Sequence, residues 1–397
     1  MIKPHSSTSK TAYSLVIAYR DRDVTLVRRC LESIQNQSFK NFELIFVDYG
    51  SHSAQQEAVK VLCNQDERFR YIFTNTCGMY WNKSRALNLA FSQSRSEVVV
   101  VVDVDLILPK NFLESVRQEF DPKYILNYKV YYLSKSFKNY EYLEKKASKL
   151  RNYLPKSDIY ANGTIVISKQ VFGEIRGYDE YYRIWGLEDT DLIDRCEAKG
   201  VTRQIMDRED TVVFHQWHPH SNLDMPQGWD AVSHHYFENK KKQSLAQLNE
   251  LKIQSSTHQI LSLKERPALH IFEKPEKSTG SWFQFGYPKV ETLLGFMQRF
   301  MALGTGEYVY VKQRFEFFRQ SDLSRLAGIV RFLNRLLSLT PISYRLVDIQ
   351  SYDTEYIGLP EIRDFIFYFI LHFEQDHILD YYLEVRNNEL DFVVVKR

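Results

Sequence analysis

At 397 residues the chain exceeds one ordinary domain and has length for two or three. With 44% apolar residues and a formal charge of +2, it can fill a core and carries no basic excess that would draw it to nucleic acid or an anionic surface. The four cysteines, Cys30, Cys63, Cys77 and Cys196, show neither CxxC nor CxH spacing, so no zinc site or disulfide framework is indicated. Residues 1–10 are polar and no run approaches the roughly 18 apolar residues of a transmembrane span. The expectation is a cytoplasmic protein, with attachment to the inner face of a membrane left open.

Residues 13–20 read as a buried strand, and Asp21-Arg22-Asp23 as the start of a helix that carries Leu26, Val27, Cys30, Leu31 and Ile34 at helical spacing. A second strand, 42–48, ends in Asp48. This carboxylate suits either a nucleotide's uracil imide or ribose, or a cap on the following helix. A third strand covers 71–73, and 80–91 reads as a helix with Lys83 and Arg85 near its start, suited to a diphosphate or to a solvated face.

Five consecutive valines, 98–102, cannot form an alternating surface strand and read as a central strand of a parallel sheet, covered on both sides. Asp103 and Asp105 follow, at a spacing that puts both side chains on one face of the strand end. Ligands of open α/β sheets bind beyond that end, and paired acids there suit Mn²⁺ or Mg²⁺ carrying a phosphate. Strand and helix alternate four times in the first hundred residues, which means a doubly wound sheet.

The stretch 121–156 is rich in Tyr and Lys, and a helix over 139–151 fits it. Residues 160–169 return to strand, with Gly163 at the entrance permitting close backbone approach to a ligand. After a helix over 169–174 comes Trp185-Gly186-Leu187-Glu188-Asp189-Thr190-Asp191. Here Glu188 and Asp189 precede a helix over 191–199, and the acids serve either its positive end or, beside a tryptophan, a sugar site with a general base. A strand over 211–220 carries His215, His218 and His220, a cluster suited to metal ligation.

In order along the chain, Tyr19-Arg20-Asp21-Arg22, Trp81-Asn82-Lys83-Ser84-Arg85-Ala86-Leu87-Asn88, Asp103-Val104-Asp105, Tyr160-Ala161-Asn162-Gly163 and Trp185-Gly186-Leu187-Glu188-Asp189 resemble the β-1,4-galactosyltransferase family. The valine strand and His215-Gln216 are also similar to bacterial chondroitin-polymerase-type and family-2 glycosyltransferases. The resemblance covers residues 13–222. It implies a GT-A nucleotide-sugar-binding, Rossmann-like fold with a mostly parallel sheet, and an inverting transfer from a UDP-sugar to a glycan or glycoconjugate hydroxyl, in bacterial surface polysaccharide synthesis.

Carried over residue by residue, the resemblance puts Arg20, Asp48, Trp81 and Lys83 beside the nucleotide and Asp103 on its ribose–phosphate side. Asp105 and His215 would hold Mn²⁺ (or Mg²⁺), with His218 in reserve. Asp189 would be the general base, with Glu188 holding the acceptor and Trp185 packing on the sugars. Tyr160 would crowd C2 of the donor and favour UDP-galactose over UDP-GalNAc. Thr190 interrupts the family's run of acids, which argues against N-acetylglucosamine as acceptor. Two sequons, at Asn82 and Asn162, fall inside this site, which argues against a secretory setting. Transfer of GlcNAc, GalNAc or glucuronic acid in capsule synthesis, or sugar-nucleotide binding without turnover, are the competing readings.

The expected division is a glycosyltransferase domain over 1–252, a linker over 253–281 with Pro267, Pro275 and Gly280, and a smaller α/β domain over 282–397. In that last region strands are expected at 282–285, 307–315, 342–349, 381–385 and 390–396, with helices at 290–303, 322–337 and 361–375. Asn387-Asn388 reads as the turn of a closing hairpin. No catalytic motif is evident there; acceptor recognition, self-association and a structural role are equally open.

Overall fold

The first hundred residues run β1 (Tyr13–Tyr19), α1 (Val24–Gln35), β2 (Phe42–Asp48), α2 (Ser53–Cys63), β3 (Phe69–Phe73), α3 (Lys83–Gln93) and β4 (Val98–Val102). The central strands are apolar at consecutive positions because each face feeds a different core. Leu15, Ile17, Leu44, Phe46, Val100 and Val102 pack under Val27, Cys30, Leu31 and Ile34 of α1 and Val59 and Leu62 of α2. Val16, Ile45, Val47, Val99 and Val101 face the other way, under Ala86, Leu87, Ala90 and Phe91 of α3. A strand buried on both faces needs no polar alternation.

The computed structural model describes residues 12–140, 143, 157–158, 163–207, 211–219, 225–241, 280–286, 289–315, 358–386 and 388–397. The chain divides into two compact units, Met1–Arg266 and Pro267–Arg397. The first continues with β5 (Leu106–Ile107), α4 (Phe112–Glu119), β6 (Tyr124–Tyr128), β7 (Val130–Tyr132), β8 (Ser157–Asp158), β9 (Thr164–Ser168), α5 (Lys169–Glu174), α6 (Glu188–Ala198), β10 (Thr202–Met206), β11 (Val213–His215) and α7 (Trp229–Lys241). Most of the helix expected over 139–151 and of the linker expected over 253–281 lies outside the described residues. Among the described residues no helix is long and apolar enough to cross a membrane.

The large sheet has seven strands in the order β10-β6-β9-β4-β1-β2-β3. The valine strand is central, but it is not flanked by parallel neighbours on both sides. It pairs parallel with β1 and antiparallel with β9, from Val98↔Ser168 to Val102↔Thr164. This antiparallel entry brings Gly163, just before β9, to the end of β4, where Asp103 N donates to Gly163 O at 2.9 Å. A small second sheet, β5-β11-β7-β8, stands beyond that end. In it His215 is paired with Leu106, and Gln216 N donates to Asp105 O at 2.9 Å.

Several expected boundaries move, among them the helix read over 80–91, which runs Lys83–Gln93, and the strand read over 282–285, which runs Gly280–Trp282. The first helix begins at Val24 rather than Asp21, because Asp21 sits at φ 49°, outside helical space, and Asp23 caps the helix by accepting from Thr25 N. The strand expected over 211–220 is confined to Val213–His215; Gln216 turns out of the ladder to Asp105, and Pro219 has no N–H with which to continue it. The helix expected from Asp191 already begins at Glu188, directly after Leu187 at φ 70°.

The second unit contains β12 (Gly280–Trp282), α8 (Lys289–Met301), β13 (Tyr308–Arg314), α9 (Leu359–Phe373), β14 (Ile378–Arg386) and β15 (Glu389–Lys396), in a sheet ordered β12-β13-β15-β14. β14 and β15 pair antiparallel down to Arg386↔Glu389, the two-residue hairpin read from Asn387-Asn388. The strand expected at 342–349 and the helix at 322–337 lie outside the described residues. Its core is aromatic: Phe296 is fully buried, with ring centroids 5.4 Å from Phe285, 5.2 Å from Phe369 and 6.0 Å from Phe392. Phe296→Ala should destabilise this unit by about 3–5 kcal/mol, read as an earlier urea transition.

Candidate active site

Beyond Val102 the chain turns sharply, with Leu106 N donating to Asp103 O at 3.1 Å. The turn ends the strand's alternation, so the expected placement of both acids on one face gives way to a separate set of partners for each. Asp103 belongs to a cluster of carboxylates around one lysine, and Asp105 to a cluster with two histidines.

Lys83 is the first residue of α3, capped by Asn82, whose Oδ1 accepts from Arg85 N at 2.9 Å. Its Nζ lies 2.9 Å from Asp103 Oδ1, 2.9 Å from Asp189 Oδ2 and 3.4 Å from Glu188 Oε1. Burial disfavours the ammonium, yet the three carboxylates hold its pKa well above the lysine range. One cation cannot satisfy three acids. Burial pushes the Asp189 carboxyl up to about 7, against the pull of Lys83 and with the help of Glu188 and Asp103, and burial likewise raises Asp103. The second Asp189 oxygen, Oδ1, accepts from Tyr178 Oη at 3.0 Å. The next acid of the helix, Asp191, turns to Arg195 (2.8 Å) and to Tyr182 Oη (3.2 Å), a structural role.

In the second cluster, Asp105 Oδ2 is 3.1 Å from His218 Nε2 and Asp105 Oδ1 is 3.6 Å from His215 Nε2. One ligand atom from each residue lies within 4.8 Å of the others. Burial works against the Asp105 carboxylate, but the His218 hydrogen bond and the charges of His215, His218 and Arg22 bring its pKa below the usual range. Burial lowers His215, whereas the bond to Asp105 raises His218. Oδ1 of Asp105 is buried and accepts no hydrogen bond from the described residues, a costly arrangement for a carboxylate oxygen unless a cation meets it. One carboxylate and two imidazoles make a donor set that fits a divalent transition ion.

The residues expected at the nucleotide line the neighbouring strand ends. Arg20 donates to three backbone carbonyls, those of Tyr49 (2.5 Å), Met79 (2.6 Å) and Thr76 (2.8 Å), with its guanidinium over the Tyr49 ring. It thereby braces the loop carrying Trp81, whose ring meets Tyr49 edge-on at 5.8 Å. Asp48 is fully buried, accepting from Tyr71 Oη at 2.6 Å and from Ser51 N at 2.9 Å, so its carboxylate ties the turn before α2. That turn needs Gly50: at φ 76°, a Cβ would stand 2.5 Å from Cys77 N. Gly163 likewise leaves space for Asp103, whose Oδ2 would be 3.0 Å from a Cβ there.

Trp185 stands 59% exposed in a loop with left-handed residues on both sides, Ile184 at φ 62° and Leu187 at φ 70°. Its backbone carbonyl accepts from the indole of buried Trp229 at 3.3 Å. Tyr160 lies outside the described residues.

Tyr178 belongs to the site although no motif in the sequence marks it. Sequence reasoning passed over Arg22, whose Nη1 is 3.3 Å from His218 Nδ1, despite its place in the first motif. Glu180 was missed too. It accepts from Arg85 Nε at 3.0 Å and Asn88 Nδ2 at 2.9 Å, tying α3 to the segment that leads to Asp189.

A mostly parallel α/β sheet with acids at the carboxyl end of its central strand, and a further acidic helix start beside them, defines a GT-A-type fold. Residues 14–176 match the family model Glycosyl transferase family 2, and residues 142–219 match that of the N-terminal domain of galactosyltransferase. The N-terminal unit thus carries a glycosyltransferase domain. Glycosyltransferase GlyG of Streptococcus pneumoniae serotype 4 is 31% identical over 94 residues, 24% of this chain and 30% of that protein. The chain therefore spans less than a third of that relative. An uncharacterized glycosyltransferase of Methanocaldococcus jannaschii is 24% identical over 215 residues, 50% of this chain and 69% of that one. Among solved structures, GalNAc-T7 with UDP, GalNAc and Mn²⁺ has a TM-score of 0.44 at 10% identity, covering 58% of this chain and 50% of that one.

Lys83→Met should leave Asp103, Glu188 and Asp189 without their shared cation. Asp103 and Asp189, already raised by burial, then move further above their unfolded value near 4, so the folded state keeps protons that the unfolded state releases. The variant should be near parental stability below pH 4 and lose stability progressively as the pH rises through the raised folded values. Urea unfolding between pH 4 and 8 reads this out; a loss that does not grow with pH would contradict it.

Proposed function

We propose that the chain transfers a hexose, with galactose favoured, from a UDP-sugar to a hydroxyl of a glycan or glycoconjugate, inverting the anomeric centre. The observation that carries this reading is the placing, beyond the end of the valine strand, of a buried carboxylate held by Lys83 and Tyr178 beside a separate Asp-His-His cluster whose Asp105 Oδ1 has no hydrogen-bond partner among the described residues.

Asp189 is the general base. It takes the proton of the acceptor hydroxyl as that oxygen bonds to the anomeric carbon, while the bond from this carbon to the UDP oxygen breaks. A single displacement from the opposite side turns an α-linked donor into a β-glycoside, with no covalent enzyme intermediate. Glu188, next in the same turn, orients the acceptor, and the exposed face of Trp185 gives its sugar ring an apolar platform. Lys83 and Asp103 meet the donor, and the missing side chain of Gly163 leaves Asp103 room to do so. Tyr160 retains its proposed role beside C2 of the donor sugar.

Asp105, His215 and His218 would hold a divalent ion, and two imidazoles favour Mn²⁺ over Mg²⁺. Bound there, the ion supplies charge neutralisation for a departing diphosphate.

Asp105→Ala should abolish Mn²⁺-dependent UDP binding measured by calorimetry while leaving the unfolding transition intact. His215→Ala and His218→Ala should each weaken it less. Parental binding in all three variants would refute the metal site.

Asp189→Asn should lower turnover ~10²–10⁴-fold with donor affinity nearly unchanged. A base must be unprotonated to act, so parental kcat/KM should fall as the pH drops through about 7. UDP release from a panel of UDP-sugars with Mn²⁺, across pH 5–9, tests both statements. Normal turnover in Asp189→Asn would move the role to Glu188, and no turnover with any donor would favour a binding protein.

A further inference from the structure

We propose that Tyr178 is a positioning residue that fixes the Asp189 carboxylate for proton transfer. The inference rests on the reading of Asp189 as general base. Its phenol donates to Asp189 Oδ1 at 3.0 Å, while Lys83 holds Oδ2 at 2.9 Å. The two partners differ in stiffness. Lys83 reaches the acid on a long flexible chain, whereas the Tyr178 ring is fully buried, with centroids 5.9 Å from Phe172 and 6.5 Å from Phe91.

The backbone beneath that ring is clamped as well. Asn88 of α3 accepts from Tyr178 N at 2.8 Å and donates to Tyr178 O at 3.0 Å. Gly177, at φ 76°, brings the turn so close that a Cβ would stand 2.7 Å from Asn88 Oδ1. The helix that begins with Lys83 therefore also anchors the second partner of the base, one turn and a half further on. A role in packing alone would require only the ring. A hydroxyl at a fully buried position costs free energy unless it is bonded, and this one is bonded to the base. Burial keeps the phenol protonated far beyond neutral pH, so it remains a donor whenever the enzyme works.

With Oδ1 pinned, Oδ2 is the oxygen available to an acceptor hydroxyl, and it becomes so when Lys83 shifts to an incoming donor. Pinning restricts the carboxylate's rotation and presents one lone pair in a set direction, the preorganisation on which proton transfer depends. The charged and titratable groups facing Asp189 are Lys83, Glu188, Asp103 and Tyr178 itself.

Tyr178→Phe removes the O–H and keeps the ring. With the most active of UDP-galactose, UDP-glucose, UDP-GalNAc and UDP-GlcNAc, Mn²⁺, and water or free glucose as acceptor, kcat should fall roughly three- to tenfold, the worth of one hydrogen bond. The donor KM should stay within about twofold of the parent. The acid limb of the pH profile should move to higher pH, because the carboxylate has lost a donor that favours its charged form. Phe172→Leu, which disturbs the same packing without touching Asp189, should lower the melting temperature and leave the acid limb in place. A Tyr178→Phe enzyme with parental kcat and acid limb, or with reduced kcat and an unmoved limb, would overturn the positioning role while leaving the base reading intact. Normal turnover in Asp189→Asn would overturn both.

Discussion

One ammonium among three carboxylates sets the terms for this site. Carboxylates that lose their water need a partner, and Lys83 serves Asp103, Glu188 and Asp189 together. The arrangement is short of positive charge, and burial together with the neighbouring acids favours a proton on Asp189 near neutrality, which is what the proposed general base requires. Lys83 can serve all three only because α3 is stapled to the segment before Asp189. Asn82 Nδ2 donates to Glu180 O at 2.8 Å, and Arg85 and Asn88 meet the Glu180 carboxylate. Lys83 and Asp189 stand 106 positions apart in the chain, and the buried Glu180 links fix their separation.

The turn after the valine strand sorts its two acids by chemistry. Asp103 enters the lysine cluster, where its pKa rises; Asp105 enters the histidine cluster, where it falls. A regular strand would have kept them together and made them repel. The small sheet beyond the turn completes the sorting, since its β5–β11 pairing carries His215 to Asp105 and the Gln216 bond directs the chain onward to His218.

The parts of the fold legible in sequence were those written as local pattern. Consecutive apolar residues at 15–18, 44–47 and 98–102 announced strands covered on both faces, and Asn387-Asn388 announced a hairpin. Strand direction is not written that way: β9 has the same β-branched composition whether it runs with β4 or against it, and its antiparallel entry follows from where Gly163 has to arrive. The helix start at Glu188 depended on left-handed Leu187, a residue with no special tendency toward that conformation. Among site residues, Asp103, Asp105, Lys83, Glu188, Asp189, His215 and His218 were singled out from spacing and resemblance, and the fold gathers them into two clusters. Tyr178 was not legible, because an aromatic in an apolar setting reads as core until its hydroxyl is seen against a carboxylate. Arg20 was legible as a residue of interest, but its bonds to three carbonyls could not be read from a motif.

The tight contact between Gly50 and the backbone at Cys77 has a practical corollary. Cys77 is partly exposed, whereas Cys30, Cys63 and Cys196 are buried, with thiols that burial drives up, to about 12 for Cys63 and Cys196. Thiol-reactive probes act on the thiolate and need access to it. The native chain thus offers one addressable thiol, and it sits in the loop braced by Arg20. A fluorophore or a fluorine tag placed there would report loop motion without any engineered cysteine, and the silence of the other three would make the signal attributable to a single position.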